Sequence, residues 1–194
     1  MKYFLLLIVV LSCGQLFAQP LTVNVVLVQR NAPESSDSIY YSPNRKLTWA
    51  DFKGQPVAGS PAAAITNSGF GFGMGTYTKG GKTQINISIN GSFNKSLSWV
   101  KPAYANEYVL NHEQHHFDLT WYCTVQFYKK LKAAVLTPNN YRDVITKIYT
   151  ESYTLLRQLQ DAYDSETNNG ILKDKQALWN KKIDSLLASE STIL

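Results

Sequence analysis

Apolar and polar positions alternate in short stretches between about residues 21 and 100. These stretches are rich in β-branched and aromatic residues and are separated by turn residues, a pattern typical of strands. The clearest one carries Ile85, Ile87 and Ile89 with polar residues between them, so one face of that strand is apolar. It follows the sequence Lys-Gly-Gly-Lys at residues 79–82, which predicts a tight hairpin turn.

From about residue 104 to residue 189 the apolar spacing becomes that of helices. We predict one helix from about Ala105 to Val135, a second from Tyr141 to Tyr163 and a third from Lys173 to Ala188. Apolar residues three and four positions apart give the second helix one apolar face. The predicted fold class is therefore α+β, with a small antiparallel sheet packed on a helical half.

The first 18 residues have the pattern of a secretory signal peptide. Lys2 precedes an apolar run, and small residues lead to Ala18, after which we expect cleavage. The run is too short for an ordinary membrane span, and no later segment is apolar for long enough. We expect an exported protein, periplasmic or extracellular, in which residues 19–194 form a single domain. A lipoprotein signal ending at Cys13 is the alternative.

The charge and the cysteine content limit the kinds of partner that we expect and the ways in which the fold can be stabilised. The formal net charge is +5, but the basic residues are scattered along the chain. Scattered charges are typical of solvated faces, so we expect no nucleic-acid partner. After cleavage Cys123 would be the one cysteine left, so no intramolecular disulfide could form and we expect Cys123 in the core.

The sequence His-Glu-Gln-His-His at residues 112–116 bears most directly on function. On a helix, His112 and His116 lie one turn apart and point the same way. Two neutral imidazoles so placed can hold zinc at about 2.0–2.1 Å. Glu113 lies beside the same face and would act as the general base that takes a proton from a zinc-activated water. His115 is turned away from this face, so we do not expect it to be a ligand.

Two longer segments, one of which contains this motif, resemble a known family. Residues 110–118 read LNHEQHHFD and residues 47–54 read LTWADFKG. They are similar to the HEQxHFD signature and the LxWxDFxG segment of a bacterial family of secreted proteins of unknown function, described as predicted zinc-dependent proteases. Weaker likenesses bring the resemblance to about residues 47–183, including residues 62–66, 98–100 and 163–167, with Gln176 and Trp179. The resemblance implies export, a bound zinc ion and a zincin-like fold.

The sequence alone does not identify the third zinc ligand. The family pattern has a histidine after Tyr-Asp-x-x-Thr-x, and the corresponding residue here is Asn169. No histidine lies outside the motif to replace it. Glu151, Asp164 and Glu166 are carboxylates that could serve instead. Glu151 lies at the edge of the apolar face of the second helix, although a half-exposed helical glutamate is common without any ligand role.

Two further residues are candidates for supporting roles. Asp118, just after the motif, projects away from the metal and could hydrogen-bond a neighbouring group, and Tyr163 could stabilise an oxyanion by analogy with other peptidases. The sequence therefore predicts a zinc peptidase acting on a peptide, a protein or a cell-wall peptide. The alternative is a non-catalytic binding or structural protein on the same fold, with a metal site degenerate at Asn169. A third possibility is a carbohydrate- or protein-binding module that uses the aromatic residues.

Overall fold

The computed structural model describes residues 21–28 and 36–190. The predicted signal peptide and Cys13 lie outside these residues. The chain forms strands in its first half and three helices in its second. The strands are β1 (Leu21–Leu27), β2 (Ser38–Tyr40), β3 (Ala64–Ile65), β4 (Ser68–Lys79), β5 (Lys82–Asn94) and β6 (Trp99–Val100), and the helices are α1 (Glu107–Ala133), α2 (Tyr141–Thr167) and α3 (Lys173–Glu190).

Strand β5 is the centre of the larger sheet. It pairs with the whole length of β4 through the predicted hairpin, so that Lys79 lies opposite Lys82. Its other edge pairs with β1 and, further along, with β2. The alternation predicted for this strand is confirmed, since Ile85, Ile87 and Ile89 are buried in the core beneath the helices.

The sheet is mixed rather than antiparallel as predicted. Strand β1 runs parallel to β5, with Val25 opposite Ile87, whereas β2 and β4 run antiparallel to it. Alternation of apolar residues fixes which face of a strand is buried but not the direction in which it pairs. A hairpin dictates the direction of β4, but no short turn joins β1 to β5, so the local pattern carries no such constraint.

Helix α1 is the central helix and packs against α2, α3 and the sheet. Residues all around it are buried, Cys123 among them, as is typical of a helix enclosed on several sides. The three predicted helices are confirmed with small changes at their ends. The largest is in α2, which continues one turn beyond Tyr163 and ends where Asn168 adopts a left-handed conformation (φ 49°). Asp164 therefore lies on the helix.

The remaining short strands flank the N-terminal half of α1. Strands β3 and β6 form a separate two-stranded antiparallel sheet, and the β3 side contacts α1. A 3₁₀ turn at Trp49–Asp51 lies within residues 47–54, and the rings of Trp49 and Phe52 are in edge contact. Among the described residues, no helix has the length and apolar character needed to cross a membrane.

Candidate metal site

Helix α1 brings two histidine side chains together on one face. The Asn106 side chain accepts a hydrogen bond from the Val109 N–H and caps the start of the helix, as asparagine does at this position. One turn further, His112 and His116 lie with their ring centroids 4.8 Å apart, and their Nε2 atoms are separated by 3.1 Å. The HExxH motif is therefore helical, with both imidazoles on one side, as predicted.

Helix α2 adds a carboxylate to this pair. Asp164 Oδ1 lies 3.2 Å from His112 Nε2 and 3.0 Å from His116 Nε2. A tetrahedral zinc ion with ligands at about 2.0–2.1 Å has about 3.3 Å between ligand atoms. The three atoms thus have nearly the spacing of one face of such a site. Among the described residues, these three side chains are the group of histidines, cysteines and acids able to hold a metal ion.

The opposite nitrogen of each ring is held by a glutamine. His112 Nδ1 lies 2.8 Å from Gln176 Oε1, a residue of α3. His116 Nδ1 is hydrogen-bonded to Gln160 Oε1, one turn before Asp164 on α2. The rings are therefore fixed from behind, and each Nε2 is left to face Asp164.

The electrostatics of the cluster favour a positive charge at its centre. Burial by itself raises the pKa of Asp164, but the hydrogen bonds to the two histidines outweigh it and hold that pKa well below its ordinary value. Burial lowers the pKa of His116, yet its hydrogen bond to Asp164 and the charge of Glu113 reverse the effect and raise it. The lowered pKa of Asp164 and the raised pKa of His116 both mean that the space between these side chains attracts a proton or a metal cation.

Glu113 lies beside the cluster with an unsatisfied carboxylate oxygen. The residue is 4% exposed, and its Oε2 has no hydrogen-bond partner among the described residues. Its main-chain oxygen accepts a hydrogen bond from Thr66 Oγ1, next to β3. Buried polar atoms are almost always paired, so this free oxygen marks a position where a proton donor is expected to bind.

The cluster lies in a cleft of about 850 Å³. One wall is the chain at residues 61–66, which carries no charged side chain, and α2 forms the other wall. The turn after α2 closes one end. Gly170 in this turn has φ 81°, and a Cβ atom there would lie 3.2 Å from His112 Nδ1, so glycine allows the turn to pack against the ring.

Of the candidates for a third ligand, the structure brings Asp164 alone to the histidine rings. Glu151 lies 13 residues earlier on α2, about 20 Å along the helix, and its carboxylate faces Lys130 at 3.8 Å. Glu166 accepts a hydrogen bond from Trp179 Nε1 at 2.8 Å. Asn169 lines the cleft, and its main-chain N–H donates to the Asp164 carbonyl at 2.7 Å.

Tyr163 lies behind the metal-facing rings. Its ring is fully buried and stacks on His112 with centroids 4.6 Å apart. Its hydroxyl contacts the His112 carbonyl oxygen at 3.4 Å and the Gln176 amide, and burial raises its pKa above the ordinary value. In this position Tyr163 is better placed to support His112 than to stabilise an oxyanion in the cleft.

The opposite face of α1 anchors the segment that precedes the 3₁₀ turn. Asp118 is buried and accepts hydrogen bonds from the Tyr41 hydroxyl at 2.9 Å and from Gln114 Nε2 at 2.8 Å. Gln114 Oε1 accepts one from the Leu47 N–H at 2.7 Å. His115 Nδ1 lies 2.7 Å from the Asn111 carbonyl oxygen, on this face and not in the metal cluster. Asp118 therefore bonds the chain just after β2, on the face of α1 that lies away from the metal cluster.

Gln160 and Gln176 were not predicted from sequence as site residues, although Gln176 belongs to a segment that resembles the family. A lone glutamine on a helix is ordinarily solvated. One signal was nevertheless present: Gln160 and Asp164 lie four residues apart on α2, the spacing that places His112 and His116 together on α1.

No family model, no curated protein and no solved structure matches this chain. The function is therefore inferred from the geometry of His112, His116, Asp164 and Glu113.

Proposed function

We propose that this protein is an exported zinc-dependent peptidase with a zincin-like arrangement of its HExxH helix. The observation that supports it most is the convergence of His112, His116 and Asp164 within 3.0–3.2 Å of one another, next to the unpaired oxygen of Glu113. Two imidazoles and a carboxylate match the donor set of catalytic zinc sites, which keep a fourth position for water or substrate.

The chain's own residues have distinct roles in this proposal. When bound, zinc supplies Lewis acidity that makes water a nucleophile near neutral pH and polarises a carbonyl group. His112, His116 and Asp164 hold the ion, and the two glutamines keep the rings in place. Glu113 Oε2 accepts a proton from the attacking water and returns it to the leaving amine, which conserves protons over one hydrolysis of an amide bond.

An extended peptide is the substrate that best fits the cleft. In the β3–β6 pair, Ala63 O accepts from Lys101 N at 2.9 Å. Successive residues of a strand direct their main-chain groups to opposite edges, so Ala64 directs its own groups away from β6. Because residues 61–66 line the cleft, a peptide lying there can pair with Ala64. Peptides, proteins and cell-wall peptides all present such a backbone.

The position of Asp164 beside the two histidines affects the non-catalytic alternative. That alternative rested on Asn169, the residue found where the family pattern has a histidine. If Asp164 is the third ligand, a site of three protein ligands does not need a histidine at residue 169. The alternative then predicts a bound metal without hydrolysis, which is a measurable difference.

The test compares the zinc-loaded protein with its Glu113→Gln variant on a mixture of unstructured peptides, following the appearance of new amino groups. We expect hydrolysis by the wild type, and a loss of at least about 100-fold in the variant. Calorimetry should show one zinc ion bound to both, since the ligands are unchanged. Equal turnover in the two proteins contradicts the role of Glu113. One bound zinc ion without hydrolysis by the wild type favours the non-catalytic alternative.

Export is tested separately. The apolar run and the small residues before Gln19 predict that the protein isolated from its natural source begins at Gln19. Mass spectrometry of the intact protein gives its N-terminus directly. A chain that still begins at Met1 contradicts export through cleavage at this site, and a lipid on Cys13 supports the lipoprotein alternative.

A further inference from the structure

We infer that Arg157 makes the cleft selective for peptides with a carboxylate group about three residues from the bond that is cleaved. The inference rests on the proposed function for the cleavage itself. It adds a substrate class that the metal-site residues do not specify. Its basis is the position of one cation in the cleft and the neutral surface around that cation.

Helix α2 presents Arg157 on the same side as Asp164. The two residues are seven positions apart, which is close to two full turns, so their side chains leave the helix in nearly the same direction. Both residues line the cleft. They are separated by about 10 Å along the helix axis, at about 1.5 Å per residue. Arg157 therefore marks a position in the cleft two turns away from the metal site.

The charge of Arg157 is not paired within the described part of the protein. Its side chain forms no hydrogen bond, ion pair or ring contact with residues 21–28 or 36–190. Lys173 is the other lysine or arginine lining the cleft, and its ammonium group lies over the Tyr108 ring at 5.7 Å. Of these two cations, Arg157 is therefore the one whose charged group is left for a ligand.

One acid close to Arg157 reduces this positive charge without cancelling it. Asp161 also lines the cleft and follows Arg157 by four positions, a spacing that makes the two residues neighbours on a helix. No ion pair forms between them. A ligand carboxylate that pairs directly with the guanidinium group lies closer to it than Asp161 does, and the interaction of charges falls with distance.

The rest of the surface around Arg157 is neutral. The adjacent turn of α2 contributes Tyr153 and Leu156 to the cleft, and the facing chain contributes residues 61–66 and Ser68. None of these residues is charged. A guanidinium group binds a carboxylate through two parallel hydrogen bonds. A peptide whose carboxylate reaches Arg157 gains this pair, whereas a peptide with a neutral side chain at that position does not.

The separation along α2 predicts where the carboxylate lies in the substrate. An extended chain advances about 3.3 Å per residue, so about 10 Å corresponds to about three residues. The bond beside the metal site and the carboxylate at Arg157 are therefore about three residues apart. An acidic side chain and the C-terminus of a peptide present the same chemical group, so either can occupy this position.

The test compares peptides that differ in one carboxylate. In a peptide that the zinc-loaded protein cleaves, with both ends blocked, glutamate or glutamine is placed about two to four residues from the cleaved bond on either side. We expect glutamate at about three residues on one side to raise kcat/KM about 10-fold over glutamine. A free C-terminus at that distance, compared with its amide, separates a terminal carboxylate from a side chain. The inference is overturned if neither form of carboxylate is preferred.

Charge reversal tests whether Arg157 recognises the carboxylate. Arg157→Gln should bring the ratio of kcat/KM for the two peptides to about one, and Arg157→Glu should make a lysine peptide the better substrate. A purely structural role of Arg157 would not produce this inversion. Arg142→Gln is the matched control and should keep the wild-type ratio, because Arg142 lies on the same helix over the Tyr141 ring. An unchanged ratio in Arg157→Gln, or an equal loss in Arg142→Gln, contradicts the assignment.

Binding separates this inference from the proposed peptidase. A short dye-labelled peptide, blocked at both ends, carries one glutamate or one glutamine among glycines, alanines and serines. Fluorescence anisotropy measures its affinity for Glu113→Gln protein, with and without Arg157→Gln. If the wild type cleaves no peptide but the glutamate form binds about 10-fold more tightly through Arg157, the peptidase fails and the carboxylate site stands. If peptides are cleaved but neither turnover nor binding depends on the carboxylate, the inference is overturned and the peptidase stands. Equal binding without cleavage contradicts both.

Discussion

Helix α1 carries polar side chains on two faces, and both sets come from the same short stretch of sequence. The two faces differ in how far their polar atoms are hydrogen-bonded within the protein. On the face that packs against the N-terminal segment, Gln114 bonds both Leu47 and Asp118, and Asp118 also accepts from Tyr41. Lys46 adds a charge 3.7 Å from the second oxygen of Asp118. This anchoring face is therefore satisfied within the protein.

On the cleft face of the same helix, the carboxylate of Glu113 is not fully satisfied. Glu113 Oε2 has no partner among the described residues, and the two Nε2 atoms of the histidines face each other and Asp164. Burial is similar on the two faces, so exposure does not explain the difference. Unpaired buried polar atoms cost stability, and they persist where a ligand or a reaction supplies the missing partner. The contrast points to function on one face and to stability on the other.

The largest expected effect separates the two faces with one substitution on each. His116→Ala removes a ligand atom and should lower zinc affinity by about 1000-fold or more. His115→Ala, the adjacent residue on the anchoring face, should change it by less than about twofold. Competition with a coloured chelator measures both affinities, and thermal unfolding confirms that both variants fold. A comparable loss in His115→Ala would show that the two faces do not differ as described.

Asp164→Asn is expected to have the next largest effect. The amide is a poor zinc donor and brings no charge, so affinity should fall by about 100-fold. Glu151→Gln and Glu166→Gln are matched controls on the same helix and should leave affinity unchanged, because neither carboxylate lies with the histidines. Asn169→His should add little if Asp164 already completes the site. A marked gain in affinity from this histidine would instead support a ligand position at residue 169.

The parts of the fold that the sequence predicted are those set by local periodicity. The three helices and the common face of His112 and His116 follow from spacings of three to four residues, and the hairpin at residues 79–82 follows from its two adjacent glycines. The direction of β1 does not, because it depends on pairing between distant segments. No local pattern distinguishes the two directions.

The choice of Asp164 among the acidic candidates also lay beyond the sequence. All three acids lie on α2, and the one that reaches the histidines is decided by how α2 crosses α1. Glu151 lies at the edge of the apolar face of that helix, but it is some 20 Å along the helix from Asp164. The glutamines were missed for a related reason, since their role exists only once three helices are packed together.

On the anchoring face, the prediction concerns stability rather than metal. Asp118→Ala leaves the Tyr41 hydroxyl and the Gln114 amide without their acceptor, so the free energy of unfolding should fall by about 2 kcal/mol. Tyr41→Phe removes one of these hydrogen bonds and should cost about 1 kcal/mol. Denaturant unfolding measures both. The folded variants should still bind zinc like the wild type, and a large loss of zinc affinity in Tyr41→Phe would mean that the two faces are coupled.

The smallest expected effect concerns Asp51. This residue lies in the 3₁₀ turn that follows the segment held by the anchoring face. Asp51 accepts hydrogen bonds from Arg45 at 2.7 and 3.3 Å and from the Thr48 N–H at 2.8 Å. Burial raises its pKa, but the hydrogen bonds from Arg45 and Thr48 outweigh this and lower the pKa below its ordinary value. A lowered pKa in the folded state means that the charge stabilises the fold above about pH 4, the value of an unfolded aspartate.

That stabilisation is lost as the pH falls below this value and the carboxylate takes up a proton. Asp51→Asn should therefore lower the free energy of unfolding by about 1 kcal/mol at pH 7, a modest value because Arg45 is partly solvated and water screens the pair. The difference from the wild type should shrink as the pH approaches 2. Arg45→Gln retains the bonds to Thr48 and should lose less. Denaturant unfolding over this pH range measures the effect, and a difference that persists at low pH contradicts an origin in the charge of Asp51.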